Sequence, residues 1–192
     1  MIVALGRRAL AGEELADLFD EMLGAVERAL APDLISLLEL LPGGPIGVLR
    51  TARGWPAAKA RLIDVAEGTP GALALREGRP VVVEDFREDG ACRWPDPLRE
   101  EGVLSGVVVP IAGPGPDPDG LLAVHWRAPR RIAAAEVALV DSLAFVVDAC
   151  LHRERAARAA ADGLRRAQAA QKRPAATGDA SGGTVTLGEA AE

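Results

Sequence analysis

Thiol, acidic and basic side chains are concentrated in one stretch, EDFREDGACRWPDPLREEG, at residues 84–102. A thiol such as that of Cys92 becomes a nucleophile or redox group when its pKa is lowered, and the neighbouring Arg93 could lower it. The acids Asp85 and Glu88 could divide general acid and base roles if their surroundings separated their pKa values. An unpaired cysteine is more often a small apolar core residue, and an acid following a strand more often caps a turn. Structural roles are therefore favoured for Asp85 and Cys92.

A histidine in the segment LLAVHW, residues 121–126, is the second candidate. In a strand, Leu121, Ala123 and His125 share one face, because successive side chains point to opposite sides. An imidazole on a ligand-facing side could bind haem iron or a polar ligand, although a hydrogen-bonded structural histidine is the commoner case. The chain has only two histidines and two cysteines, with no Cys/His cluster, so no metal site is predicted.

Catalytic and nucleotide-binding motifs are absent from the sequence. There is no GxxxxGK[ST], GxSxG or HExxH segment, no glycine-rich kinase loop and no GGDEF-like segment. The segment GPGPDPDG at residues 113–120 is stiffened by proline and unsuited to cradling a phosphate. These absences favour a protein that is not an enzyme.

Charge and hydropathy exclude further classes. The formal charge of −6 opposes nonspecific binding to nucleic acid or an anionic membrane. Seven basic residues face two acids between Leu151 and Arg173, which we interpret as a solvated helix face. No signal peptide is recognisable, and the most apolar segment, VALVDSLAFVVDACL, is interrupted by Asp141 and Asp148. Two distant cysteines suit a reducing compartment, so the sequence predicts a cytoplasmic location.

The elements that position these residues can be read from periodicity. Apolar residues at helical spacing predict an amphipathic helix over residues 8–30. LISLLELL and IGVLRTA around PGGP predict a hairpin, and TPGALALREG predicts a short helix capped by Thr69 and Gly78. Strands are predicted at PVVVEDF, VLSGVVVPI and LLAVHW, with a helical turn at DPLREEG. Strands in this succession favour an antiparallel sheet.

The last predicted helix runs over residues 133–171 and carries a heptad pattern, with Glu154 as its flaw. Because this apolar seam outruns the domain that it should cover, we expect a homodimer, with coiled-coil character, through this helix and the helix at 8–30. The candidate interface residues are Val140, Leu143, Val147, Cys150 and Leu164. The small, polar residues 174–192 are expected to be disordered.

The order of these elements, with REGRPVVVEDF, LREEGVLSGVVVPI, GLLAVHW and the final helix, resembles a GAF domain over residues 3–155. The likeness is to GAF domains of bacterial multidomain sensor histidine kinases and diguanylate cyclases. It implies an α+β fold in which an antiparallel sheet of five or six strands lies between helical layers. It further implies a sensory domain at 1–155, a helical signalling extension at 156–173 and a disordered tail at 174–192.

The resemblance also implies a small-molecule pocket roofed by the stretch at 84–102. The candidate ligand-binding residues are Phe86, Cys92, Trp94, Leu98, Ser105 and His125. The phenyl and indole rings could wall the pocket or plug the roof onto the core. Several chemistries of the family are disfavoured: Arg93 stands where bilin sites usually have histidine after the cysteine, and HWRAPRRI replaces the Asn-Lys pair of cyclic-nucleotide sites. Haem-binding members carry their histidine in the region of CRWPDPL, which has none.

The leading hypothesis is a non-enzymatic sensory module that binds a small molecule or a protein and signals through a helical dimer interface. No cofactor is identified. Because no output domain is recognisable, the signal should pass to a separate kinase or cyclase partner, unless the chain is a shortened relative of a larger sensor. Two alternatives stay open: a redox enzyme of the free methionine sulfoxide reductase type using Cys92, and a ligand-free dimerisation scaffold.

Overall fold

The computed structural model describes residues 2–11, 13–56, 62–115 and 118–172. Its first elements are α1 (Ile2–Ala11), α2 (Leu15–Leu30), β1 (Leu34–Leu40), β2 (Ile46–Arg53), β3 (Leu62–Asp64) and α3 (Pro70–Glu77). They are followed by β4 (Val81–Val83), α4 (Asp96–Glu100), β5 (Ser105–Ile111), β6 (Gly120–Trp126) and α5 (Ala134–Lys172). The chain divides into two compact units, of which the first ends at Arg155 and the second begins at Ala156.

Six strands within the described residues form one antiparallel sheet, in the order β3, β2, β1, β6, β5, β4. The predicted hairpin is formed by β1 and β2, with an irregularity between Leu37 and Leu38. Strand β6 lies between β1 and β5, where His125 is opposite Leu34 on one side and Gly106 on the other. The predicted α+β fold with an antiparallel sheet is therefore confirmed.

One face of the sheet packs against α1, α2 and the first part of α5. Strand residues such as Ile35, Leu37 and Val124 alternate onto this face and are buried. Each buried side chain of this size contributes about 1.5–3 kcal/mol of hydrophobic free energy. The helix residues that bury against them include Leu5, Leu18, Phe19, Met22, Leu23, Val26, Val140, Leu143 and Val147.

The opposite face of the sheet is covered by α3, α4 and the loops beside them. Here Leu38, Val108 and Leu121 form a second buried cluster. Helix α3 begins as the sequence predicts, because the Thr69 hydroxyl accepts a hydrogen bond from the Ala72 amide at 3.3 Å. It ends at Gly78, whose φ of 62° is a left-handed conformation that glycine adopts without strain. This face holds the cavity described below.

Two predicted elements differ in the structure. The single helix expected over residues 8–30 is two helices, since α1 ends at Ala11 and α2 begins at Leu15. The sequence has glycine at position 12, which weakens a helix there, and the guanidinium of Arg8 binds the carboxylates of Glu13 and Glu21 across the interruption. The short strand β3 lies in a segment whose pattern is ambiguous, and it was not predicted.

The predicted dimer seam needs a correction. Val140, Leu143, Val147 and Cys150 are all buried in the core of their own chain, against the sheet and α2, so they present no surface to a second chain. Of the candidate interface residues, Leu164 is the one that is exposed, at 62 %. The predicted domain division at 155 and 173 stays a prediction, and residues 174–192 lie outside the described residues.

Candidate functional site

A cavity of about 120 Å³ lies over the sheet face that carries His125. Its floor comes from β1, β5 and β6, and its walls come from β3, the start of α3 and the region of α4. The floor residues are Ser36, Leu38, Val108, Leu121, Ala123 and His125, and the wall residues are Trp55, Ile63, Asp64, Val65, Thr69, Pro70, Gly71, Pro95, Pro97 and Leu98. The cavity is therefore enclosed mainly by apolar groups, as small-molecule sites commonly are.

His125 is the polar group most deeply placed in this cavity. Its side chain is only 3 % exposed, and neither Nδ1 nor Nε2 has a hydrogen-bond partner. Burial lowers the pKa of His125 to about 4, so the imidazole is neutral at pH 7. A neutral imidazole carries one hydrogen-bond donor and one acceptor. Each buried donor or acceptor that is left without a hydrogen bond costs about 1–3 kcal/mol.

The other polar residues of the cavity differ from His125 in their hydrogen bonds or in their exposure. The Thr69 hydroxyl donates to the Ala66 carbonyl at 2.7 Å while it caps α3, so its hydrogen bonds are used within the chain. Ser36 brings a hydroxyl to the floor, on the strand next to His125. Asp64 lies at the exposed edge. No lysine or arginine is present among the cavity residues of the described chain.

The stretch at 84–102 contributes to the cavity through its second half. Phe86 and Trp94 stack on each other, with ring centroids 5.9 Å apart and planes within 5°. The Arg93 amide donates to the Gly68 carbonyl at 2.7 Å, which attaches the loop to the turn before α3. Beyond Trp94, the prolines around α4 and Leu98 line the cavity. The stacked rings therefore hold the loop in place, while α4 forms part of the roof.

Asp85 has the structural role that the sequence favours. Its Oδ1 accepts a hydrogen bond from the Arg87 amide at 3.0 Å, which is an Asx turn, and its carboxylate also binds the Arg87 guanidinium. These hydrogen bonds hold the pKa of Asp85 below its ordinary value. Asp85 is consequently paired with Arg87 within the loop, and this pairing does not suit it to general acid or base catalysis.

Cys92 and Ser105 do not line the cavity. Burial, followed by the carboxylates of Asp89 and Glu77, raises the pKa of the Cys92 thiol, which agrees with the favoured structural role and not with activation by Arg93. Cys92 is buried in the cluster on the cavity side, whereas Cys150 belongs to the cluster on the other face of the sheet. The Ser105 hydroxyl donates to the Ala128 carbonyl at 2.8 Å and is fully buried.

Of the six candidate ligand-binding residues, the structure thus brings Leu98 and His125 to the cavity. Alternation along LLAVHW correctly placed Leu121, Ala123 and His125 on one face, which is the cavity face, whereas the hydrogen bonds favoured for His125 are not formed with the described residues. The contributions of Ser36, Trp55, β3 and Gly71 were missed. Ser36 could have been found from the same alternation, because it follows Leu34 by two residues in a strand with one face toward the cavity.

An ion-pair network lies beneath the cavity, on the other side of β1. Leu38 lines the cavity, and the adjacent Glu39 accepts a hydrogen bond from Arg155 of α5 at 2.9 Å. Glu39 also pairs with Arg50 at 3.0 Å, and Arg50 reaches Glu154 at 2.9 Å. The heptad flaw at Glu154 is therefore an ion-pair partner of the sheet. Glu39 therefore connects the strand that borders the cavity to α5.

The described part of the chain offers neither a metal cluster nor a membrane-spanning helix. The described residues hold no group of three or more His, Cys, Asp or Glu side chains that could bind a metal ion. No helix among them is long and apolar enough to cross a membrane.

Comparisons with known proteins place this architecture. The chain is similar in structure to the GAF domain of a phosphoenolpyruvate-protein phosphotransferase from Coxiella burnetii, with 21 % identity, a TM-score of 0.68, and coverage of 82 % of this chain and 94 % of that one. The corresponding Acinetobacter domain gives 18 % identity, a TM-score of 0.66, and coverage of 81 % and 92 %. A third similar structure is free methionine-R-sulfoxide reductase from Neisseria meningitidis, solved with its substrate. It gives 14 % identity, a TM-score of 0.65, and coverage of 81 % of this chain and 89 % of that one.

At these identities the structural likeness shows a shared fold. No curated protein matches the chain. The family model of the GAF domain, however, matches residues 12–152, which is most of the chain and includes every residue of the cavity. On this evidence, the protein belongs to the GAF domain family.

Proposed function

We propose that this chain is a non-enzymatic regulatory module that binds a small molecule in the cavity beside His125. The single observation that carries the proposal is the pairing of an apolar cavity with a buried imidazole whose two nitrogens lack partners. The described residues offer this imidazole no hydrogen-bond partner, and a ligand that hydrogen-bonds it would supply one. A small molecule with a donor or acceptor group would therefore complement the site.

The response to binding would pass through β1 to α5. Because neighbouring strand residues point to opposite faces, a ligand that presses on Leu38 moves the backbone that also carries Glu39. Glu39 holds Arg155, which lies at the end of the first compact unit. A change in this contact would alter the restraint on α5 and thereby the surface offered to another protein.

We propose that a separate kinase or cyclase receives the signal. We also propose that this chain forms a dimer with a second copy of itself. With four of the five predicted interface residues buried in the chain's own core, the dimer proposal now rests on Leu164, a large apolar side chain that is 62 % exposed on α5. Leu164→Glu should weaken a dimer without unfolding the domain. A monomer by sedimentation at tens of micromolar would count against the dimer proposal.

A redox function through Cys92 is less well supported. A reactive thiol needs access and a lowered pKa, whereas Cys92 is buried and burial raises its pKa. The described residues also place no second cysteine near Cys92 to form a disulfide with it, since Cys150 lies on the opposite side of the sheet. Cys92→Ser should accordingly leave partner regulation intact, whereas it would abolish any sulfoxide reduction that depended on the thiol.

Native mass spectrometry of the purified full chain tests the proposal. The protein would be incubated with a low-molecular-weight cell extract, desalted gently and compared with His125→Leu. We expect a retained small-molecule mass on the wild-type chain and its loss from the variant, with His152→Leu as the exposed histidine control. Only the bare chain mass in all three proteins would contradict the proposed function and would favour a ligand-free scaffold.

A further inference from the structure

We infer that the cavity selects compact, neutral ligands that hydrogen-bond the His125 imidazole, and that it rejects anions of the same shape. This inference rests on the proposed function and specifies the class of molecule that the site would take.

The charges on the described residues around the cavity disfavour an anion. No arginine or lysine occurs among the described residues that line it, and the one charged side chain present is the carboxylate of Asp64 at its edge. A carboxylate or phosphate taken into this site would lose hydration without meeting a cation among the described lining residues. It would also face the negative charge of Asp64. The apolar floor residues Leu38, Val108 and Leu121 offer an anion no hydrogen bond.

The imidazole supplies the attraction for a neutral polar group. His125 is held against β5 at the position opposite Gly106, where a larger residue would occupy the space of the ring. It remains uncharged at neutral pH, and therefore presents a nitrogen donor or a nitrogen acceptor rather than a positive charge. An amide or hydroxyl of a neutral ligand can match either nitrogen. A hydrocarbon of the same shape would fill the cavity but leave the imidazole unsatisfied.

The size of the cavity limits the ligand to about one ring. At about 120 Å³ it lies below the range of roughly 300–1,000 Å³ that is usual for drug-sized ligands. A benzene molecule occupies an engineered protein cavity of about 150 Å³ in another protein, which is a comparable space. A single ring with a small polar substituent is thus the fitting class.

Three probes of nearly identical shape separate the contributions of charge and hydrogen bonding. Benzamide is neutral and polar, benzoate is anionic, and cumene is neutral and apolar. Their dissociation constants would be measured with the full wild-type chain at pH 7 by titration followed with NMR of the backbone amides. We expect benzamide to bind at least about tenfold more tightly than benzoate, and several-fold more tightly than cumene. The largest shifts should fall on Leu121, Ala123 and His125.

The variants His125→Leu and His152→Leu complete the experiment. The first should abolish the preference for benzamide over cumene, whereas the second, which alters an exposed histidine, should preserve it. The comparison of the three probes on the wild-type chain tests the preference for a neutral polar ligand even if a variant does not fold. Benzoate binding at the cavity as tightly as benzamide would overturn the inference while supporting the proposed function. Binding of none of the probes to a chain that retains a small molecule in native mass spectrometry would also overturn the inference alone.

Discussion

Gly106 of β5 lies directly opposite His125 of β6, and a Cβ atom added to this glycine would lie 2.5 Å from His125 Cδ2 and 3.1 Å from the Val124 carbonyl oxygen. The glycine therefore leaves the space in which the imidazole sits. The position of the one deeply buried, unpartnered imidazole among the described residues thus depends on the absence of a side chain on the adjacent strand.

Gly106→Ala should displace the His125 ring and destabilise the fold. Because the added methyl group meets both the ring and a strand carbonyl, we expect a loss of about 1–3 kcal/mol in the free energy of unfolding, measured in urea. Gly90→Ala is the control, since a Cβ atom at that position meets nothing within 4 Å, and its stability should stay near the wild-type value. Equal stabilities for the two variants would mean that the ring can move without cost.

The His125 imidazole should make folding sensitive to acid. Its pKa is lowered by burial to about 4, against an ordinary value of 6.5, so between these values the unfolded chain takes up a proton here that the folded chain does not. Stability should be independent of this group above pH 6.5 and should fall by about 3 kcal/mol as the pH drops toward 4.

The comparison with His125→Leu isolates this effect from the titration of carboxylates, which occurs in both proteins. The variant should be more stable than the wild type at pH 7, because it removes two unsatisfied nitrogens from an apolar site. Its advantage should grow further between pH 6.5 and 4. A constant difference in unfolding free energy across this range would show that His125 is protonated equally in both states.

Trp94→Ala should release the first half of the roof loop. It removes the stack on Phe86 and the burial of the indole, for an expected loss of about 1–3 kcal/mol in unfolding free energy. Hydrogen exchange should become faster at the amides of residues 87–93, with little change in Val107–Val109 of the sheet. Glu88→Ala, an exposed change in the same loop, should leave exchange as in the wild type. Loop amides that exchange as slowly in Trp94→Ala as in the wild type would contradict the anchoring role of Trp94.

Glu39→Gln should weaken the connection between the cavity and α5. The change removes the charge that holds Arg50 and Arg155, and for these half-buried pairs we expect a loss of about 1 kcal/mol. Amide exchange at residues 150–155 should be faster in the variant. Benzamide should slow this exchange in the wild type and should have no effect on it in Glu39→Gln. Glu77→Gln breaks ion pairs with Arg76 and Arg79 instead, and should leave α5 unaffected. Benzamide protection of α5 that survives in Glu39→Gln would rule out this route.

The fold could be predicted because its signals are local. Thr69, Pro70 and Gly78 fix the ends of α3 through caps that involve only neighbouring residues. Alternation in β6 likewise grouped His125 with Leu121 and Ala123, and all three line the cavity. The three-residue strand β3 gave no such signal, because its three pairs with β2 are what make it a strand.

The cavity itself could be predicted only in outline. Phe86 and Trp94 were expected to anchor the loop or to wall the pocket. They stack on each other and do not line the cavity, so they anchor the loop, a distinction that depends on tertiary contact. The apolar seam of α5 has the same pattern whether it packs on its own sheet or on a second chain. Burial of Leu143 in the core of its own chain resolves that ambiguity, which the heptad spacing alone leaves open.

The ring nitrogens of His125 give the most direct test of a ligand site at this imidazole. In a chain labelled with ¹⁵N at histidine, only two imidazoles contribute signals, and the exposed His152 serves as an internal reference. At pH 7, saturating benzamide should shift the His125 nitrogens as a hydrogen bond forms and should leave those of His152 in place. Unchanged His125 nitrogens at full benzamide saturation, or equal shifts in both histidines, would contradict the account.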